Sequence, residues 1–213
     1  MEPTADESKK AAEIFNKYAA EYEQRFMDVS SYKHSLNLFC KNIQQQNPTI
    51  FDIACGPGNY AKYCLTEIPG ANIFGIDLAP EMISLARKNN PGNRFEVIDC
   101  RTIDSLPSKF DAVLCAFVTP YLNLEEVKKL IKNIAEKLNQ NGPLYISTIE
   151  NDYSKSGLQT NSKGDHVYQY FYDEPLLRTE LQTNGFSIID VSRIKTVMSD
   201  GTEVTDIIIV ACK

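Results

Sequence analysis

No run of lysine and arginine in these 213 residues is long enough to form a basic track, and the net charge is −6. Phosphate contacts dominate nucleic-acid affinity, so nucleic acid is not the expected partner, nor is an acidic membrane surface. No apolar stretch approaches the length that crosses a bilayer, and the charged start at residues 2–10 is not expected to act as a signal peptide. Cysteine pairs of the C-x-x-C kind are also missing. The six cysteines (Cys40, Cys55, Cys64, Cys100, Cys115 and Cys212) are spread along the chain, several inside predicted strands. They read as small buried hydrophobes in a reducing compartment, the cytoplasm, rather than a disulfide framework or a zinc site. Apolar material is plentiful: a hydrophobic content of 43% is enough for the core of one domain with a modest elaboration.

The chain opens on an aromatic stripe. Phe15, Tyr18, Tyr22 and Phe26 recur at spacings of three, four and four, which predicts one helix over 8–26. Phe15 and Phe26 read as core; Tyr18 and Tyr22, with polar tips that need partners, are candidates for lining a pocket from above. A second helix is expected from about Ser31, carrying Tyr32, Leu36, Phe39 and Ile43 on one face and ending before Pro48. Together, residues 1–48 form the expected helical cap on a domain spanning 49–213.

From Thr49 the pattern alternates. Strands are expected at 49–54, 72–77, 94–99, 110–116 and 144–149, and helices at 59–67, from Pro80, and at 124–138. Asn123 is the expected N-cap of the last of these helices, with Glu126 three residues on. Such alternation means an α/β domain with a parallel sheet covered on both faces. A polar loop at 150–164 and an aromatic segment at 165–172 follow, and together 150–172 make the expected cover of a second site. A short helix at 174–183 then leads to two β-rich runs, 186–197 and 203–211, joined through Ser199-Asp200-Gly201, a hairpin signal. The hairpin makes the sheet mixed, with six parallel strands and one antiparallel.

The chemistry lies at the strand ends. Asp52-Ile53-Ala54-Cys55-Gly56-Pro57-Gly58 ends the first strand in a glycine turn, and Asp77 and Asp99 end the next two strand-like runs. Three polar strand ends at one edge of a parallel sheet are a place for a ligand. Alone, Gly56-Pro57-Gly58-Asn59-Tyr60-Ala61 also fits the G-x-G-x-x-A turn of nicotinamide-dependent oxidoreductases. Against that reading, Pro57 removes a backbone donor from a loop that should cradle a pyrophosphate, and no second domain remains to carry hydride transfer. A non-catalytic binding protein on the same fold is the third possibility, and the intact acid pair argues against it.

With Gly75-Ile76-Asp77-Leu78-Ala79-Pro80-Glu81-Met82, Asp99-Cys100 and Phe110-Asp111-Ala112-Val113 added, the chain resembles the class I S-adenosylmethionine-dependent methyltransferases over about 49–213. The resemblance implies a three-layer, doubly wound Rossmann-like sheet of seven strands in the order 3-2-1-4-5-7-6, with strand 7 antiparallel. It also implies S-adenosylmethionine as cofactor. Gly56 and Gly58 would let the backbone approach the aminocarboxypropyl tail, with Ala54 standing where the family often has its first glycine. Asp77 would accept from the ribose hydroxyls, and Asp99 from the adenine amino group between Leu78, Met82 and Cys100. Ala116 and Phe117 would lie near the sulfonium, and Asp52 would face the ligand's ammonium or cap the turn.

The acceptor is less legible. Related nucleic-acid amino-methyltransferases carry an amide or acid before Pro-Pro-Tyr after strand four; here the place reads Phe117-Val118-Thr119-Pro120-Tyr121. A small-molecule acceptor is therefore expected, with Tyr121 a candidate contact. In an extended chain His166, Tyr168, Tyr170 and Tyr172 share one face, which could hold an aromatic or cationic acceptor, with His166 a candidate base and Tyr153 helping to close the pocket.

Overall fold

The structure, a computed structural model, describes residues 6–161, 163–197, 201 and 203–213. Five parallel strands alternate with helices: β1 (Thr49–Ile53), β2 (Asn72–Asp77), β3 (Arg94–Val97), β4 (Ala112–Ala116) and β5 (Pro143–Ile149). A small two-stranded sheet, β6 (Gly157–Thr160) with β7 (His166–Gln169), is inserted next. The chain returns to the main sheet as β8 (Ser187–Val197) and β9 (Glu203–Cys212). The seven-stranded order is β3-β2-β1-β4-β5-β9-β8, with β9 antiparallel to both neighbours. Once the inserted pair is set aside, this is the expected order and the expected single antiparallel strand.

Period-two side-chain alternation sends each buried strand's residues to two faces. Phe51, Ile53, Val113, Cys115 and Ile146 meet α6 (Leu124–Lys137) and α7 (Glu174–Thr183) on one face. Ile50, Ile73, Leu114, Tyr145 and Ile208 meet α3 (Lys33–Lys41), α4 (Asn59–Glu67) and α5 (Pro80–Asn89) on the other. The result is three layers. The expected capping box of α6 is present: Asn123 Oδ1 accepts from Glu126 N–H at 3.0 Å, and Glu126 returns the bond at 2.9 Å.

Three expectations at the ends of the chain change. The single helix at 8–26 is two, α1 (Glu7–Lys17) and α2 (Ala19–Phe26), because Tyr18 leaves helical geometry with φ −111° while its hydroxyl donates to Asp165 at 2.6 Å. The aromatic stripe continued through the break, so spacing alone could not reveal it. Phe26 is 39% exposed rather than core, and Phe15 faces a cavity. The polar loop at 150–164 contains β6, whose formation depends on pairing with β7 and not on burial, as the 61% exposure of Leu158 shows. Of the hairpin turn, Ser199 and Asp200 lie outside the described residues, and Gly201 has φ +83°.

Residues 6–48 do not pack as one cap. α3 packs into the core against the sheet, whereas α1 and α2 lie with α5 and Ala79 over the carboxyl edge. No helix among the described residues is long and apolar enough to cross a membrane.

Candidate functional site

β1 delivers the chain into a turn with three left-handed residues, Ala54 (φ +55°), Gly56 (φ +52°) and Gly58 (φ +79°). Glycine suits such angles because it carries no Cβ; alanine tolerates them at a cost of about 1 kcal/mol. The two glycines serve different surfaces. Gly56 borders the cavity, and an added Cβ would have Tyr22 Cε1 as its nearest neighbour, 3.9 Å away. Gly58 faces α5 instead, where a Cβ would lie 2.2 Å from Asn90 Nδ2 and 3.3 Å from Ala86 Cα. Its missing side chain lets α4 start against α5, so of the two glycines expected to approach a ligand only Gly56 borders the cavity.

The cavity has an empty volume of about 720 Å³, part of it open to solvent. Its floor is the carboxyl edge of the sheet. Asp77, at the end of β2, accepts from Gly56 N–H (3.0 Å) and Ala79 N–H (2.8 Å), and burial pushes its carboxyl above the usual range. Each oxygen takes one backbone bond and keeps lone pairs for a ligand hydroxyl. Leu78, Met82, Ile98 and Cys100 form an apolar wall, and burial pushes the Cys100 thiol up to about 12. Ala116 and Phe117 lie at the end of β4, Phe117 with φ +54°.

Asp99 lies two residues beyond β3 and caps a short 3-10 turn by accepting from Arg101 N–H at 2.9 Å. Burial raises its carboxyl, but hydrogen bonds from Arg101 and that residue's charge outweigh burial and hold it below the usual range. The same guanidinium reaches Asp6, the N-cap of α1, and Glu126 of α6, each at 3.0 Å. Arg101 thus fastens the first helix beside the cavity.

The roof comes from α1 and α2. Ser8, Ala11, Ala12, Phe15 and Tyr22 line it, and Phe15 meets Tyr22 and Tyr121 edge-on at 5.7 and 5.1 Å. Burial and the charge of Asp77 push the Tyr22 phenol up to about 12. Ser8, Ala11 and Ala12 were not expected from sequence, since small residues on a surface helix carry no signal until the helix is docked. Ile98, Val118 and Leu122 were missed because they read as ordinary strand or loop apolars.

Other expected residues lie elsewhere. Asp52 sits behind the turn, 1% exposed, with Oδ2 lacking a hydrogen-bond partner among the described residues. Burial first, then the charge of Asp77, pushes it up to about 8, and the Ala61 N–H offsets this in part. Tyr18 points to Asp165. Tyr153, Tyr168, Tyr170 and Tyr172 do gather, with neighbouring ring centroids between 4.8 and 6.1 Å apart, but Tyr170 and Tyr172 lie in the α6-side core with Tyr153 and Tyr168 packed against it, and the cavity is lined by none of the four. Tyr172 donates to Leu122 O at 2.5 Å and so backs the cavity wall from behind. His166 is exposed on β7 and shares a 2.9 Å hydrogen bond with the Thr160 hydroxyl. Of the proposed acceptor contacts, the cavity collects Tyr22 and Tyr121.

Comparison with known proteins adds to this geometry. Residues 50–142 match a methyltransferase domain family. A demethylmenaquinone methyltransferase of Chlorobaculum parvum is 31% identical over 102 residues, covering 48% of this chain and 41% of the relative. A ubiquinone biosynthesis O-methyltransferase of Xylella fastidiosa is 26% identical over 174 residues, covering 75% of this chain and 69% of the relative. The chain therefore spans less than half of the first relative and about two thirds of the second. Among solved structures, a Burkholderia thailandensis 1,6-didemethyltoxoflavin-N1-methyltransferase with bound 1,6-didemethyltoxoflavin and S-adenosylhomocysteine superposes with a TM-score of 0.72. That match is at 20% identity and covers 100% of this chain and 92% of that one. Taken together, the domain match, the relatives and the shared fold support a class I S-adenosylmethionine-dependent methyltransferase.

Proposed function

We propose that the protein binds S-adenosylmethionine in this cavity and transfers its methyl group to a small-molecule acceptor. The carrying observation is the convergence of Gly56, Asp77, the Leu78–Met82–Cys100 wall and Ala116–Phe117 on one cavity at the carboxyl edge. The donor set fits the ligand. Gly56 presents open backbone, the Asp77 carboxylate has lone pairs for two ribose hydroxyls, and the apolar wall suits a flat adenine ring. Bound there, the cofactor supplies a methyl group on a sulfonium, open to in-line displacement.

This chain's own residues bind, orient and exclude water. The α1–α2 roof and the Phe117–Tyr121 side enclose the reaction space, and enclosure with fixed orientation supplies much of the rate of a displacement. Asp99 would take the adenine amino group only on the lone pairs Arg101 leaves it. His166 lies off the cavity, so the base expected there has no place in this reading. The small-molecule relatives support the acceptor class, because the relatives named above act on quinone precursors and a toxoflavin precursor by their names.

The test is isothermal calorimetry with S-adenosylhomocysteine. Asp77→Ala is expected to weaken binding at least about tenfold, because charge-assisted bonds to two hydroxyls are each worth about 1.5–3 kcal/mol. Thermal unfolding in the absence of ligand separates lost binding from lost fold. Unchanged affinity in this variant would remove the ribose assignment.

A further inference from the structure

Beyond Phe117 lies a second polar corner, on the other face of the sheet from α6. Tyr32, from the 3-10 turn before α3, donates to Asp206 Oδ2 at 2.7 Å. Its ring lies 5.7 Å from that of Phe117 and 6.1 Å from that of Tyr60. β9 runs antiparallel, so Asp206, near its start, stands at the carboxyl edge, opposite Ile149 of β5. Ser147 pairs with Ile208, two residues from Asp206, which puts the serine and the aspartate on one face. Ser147 is 1% exposed, and its hydroxyl has no hydrogen-bond partner among the described residues. Buried hydroxyls are rarely left so without a water or ligand nearby.

The corner is aromatic and acidic. Among the described residues no lysine or arginine pairs with Asp206, and its strand partners are Ile149 and Ile194. The nearby Arg193 and Lys195 are committed to Glu150, Glu174 and Glu203. Asp206 and Tyr32 are both half-buried, so a ligand can reach them. Burial raises the Asp206 carboxyl, and the bond from Tyr32 offsets that in part. A half-buried carboxylate flanked by aromatic faces favours a positively charged partner over a neutral one and repels an anion. Phe117, which lines the cofactor cavity and touches Tyr32, connects the corner to the place where a methyl group would be delivered.

We propose that Tyr32, Asp206 and Ser147, with the faces of Phe117 and Tyr60, form the acceptor subsite and that it binds the acceptor through a protonated amino group, a recognition handle distinct from the methylated atom because an ammonium has no lone pair to attack the sulfonium methyl. This inference rests on the methyl-donor reading of the adjoining cavity and adds the acceptor's chemical class to it. Asp206 receives the ammonium with the lone pairs left by Tyr32, and Ser147 supplies a further polar contact at the buried end. A carboxylate-bearing acceptor is excluded by charge, and a plain alcohol gains only a neutral hydrogen bond.

The experiment is calorimetry on the protein saturated with S-adenosylhomocysteine. The probes are benzylamine and phenethylamine, with their alcohol and carboxylate counterparts of equal length. The amines are expected to bind about tenfold tighter than the alcohols, with no binding of the carboxylates. Asp206→Asn keeps the shape and removes the charge; it is expected to lose the amine preference while holding S-adenosylhomocysteine within about twofold of wild type. Tyr32→Phe, which retains the ring, is expected to weaken the amines less. Amines that bind no better than alcohols, amines indifferent to Asp206→Asn, or absence of binding by every probe would each overturn the subsite. Failure of wild-type protein to bind S-adenosylhomocysteine would instead overturn the donor reading, so the two failures are distinguishable.

Discussion

Asp52 illustrates how a single residue serves the site without facing it. Its carboxylate is enclosed by β1, α4 and the charge of Asp77, and burial lifts it to about 8 against an ordinary value near 3.8. A folded-state value above the unfolded one means the protonated form is favoured by folding. The associated stability is therefore fully present below about pH 4 and drains away as pH rises towards 8. Asp52→Asn removes that titration. Urea unfolding without ligand, repeated from pH 5 to pH 8.5, should show the variant gaining on wild type as pH rises; parallel profiles would mean the carboxyl is not perturbed. Of the three described non-glycine residues with a left-handed backbone, Ala54, Phe117 and Asn141, the first two line the cavity, and strain of this kind gathers at binding sites. Neither φ could be read from sequence, because alanine and phenylalanine carry no such signal, whereas Gly56 and Gly58 did.

At the scale of elements, the clearest sequence signals were those with local causes. α4, β2 and α7 occupy the predicted residues, and α6 begins at the predicted cap. Asn123 binds Glu126 N–H while Glu126 returns to Asn123 N–H, so Asn123→Ala removes one acceptor and undoes a reciprocal pair. A loss of about 1 kcal/mol is expected from such a cap, seen as a lower urea midpoint with an unchanged slope. A change in slope would point to altered compactness instead. β6 behaved differently. Its polar residues have no periodic burial to betray them, and they form a strand only because residues 166–169 are brought alongside. The break at Tyr18 has the same origin, a partner 147 residues away.

For the whole molecule, the docking of the first helix shapes the roof of the cavity. The helix is fastened by Arg101 through Asp6, by Ser8 to the Tyr121 carbonyl at 2.6 Å, and by Lys17 and Tyr18 to Asp165. Surface ion pairs contribute little singly, but Arg101 joins three carboxylates from three parts of the chain. Arg101→Ala is expected to speed amide exchange in α1 at least about threefold while the global unfolding midpoint moves by less than the equivalent of about 1.5 kcal/mol. Equal loosening of the sheet and of α1 would show that the residue supports the whole fold rather than the roof.

The amino-acid sequence by itself determined the alternating α/β order, the terminal hairpin that makes β9 antiparallel, and the acid-and-glycine strand ends. Each of these follows from periodicity, capping or turn chemistry within a few residues. Only the tertiary structure decided which of the marked residues share a cavity. Gly58 and Asp52 turned out to support the floor from behind, Tyr170 and Tyr172 entered the core, and Ser8, Ala11 and Phe15 became the roof. The pairing of Tyr32 with Asp206 spans 174 positions and two unrelated elements. No spacing rule reaches that far, since contacts at such separation are set by how the helices dock on the sheet.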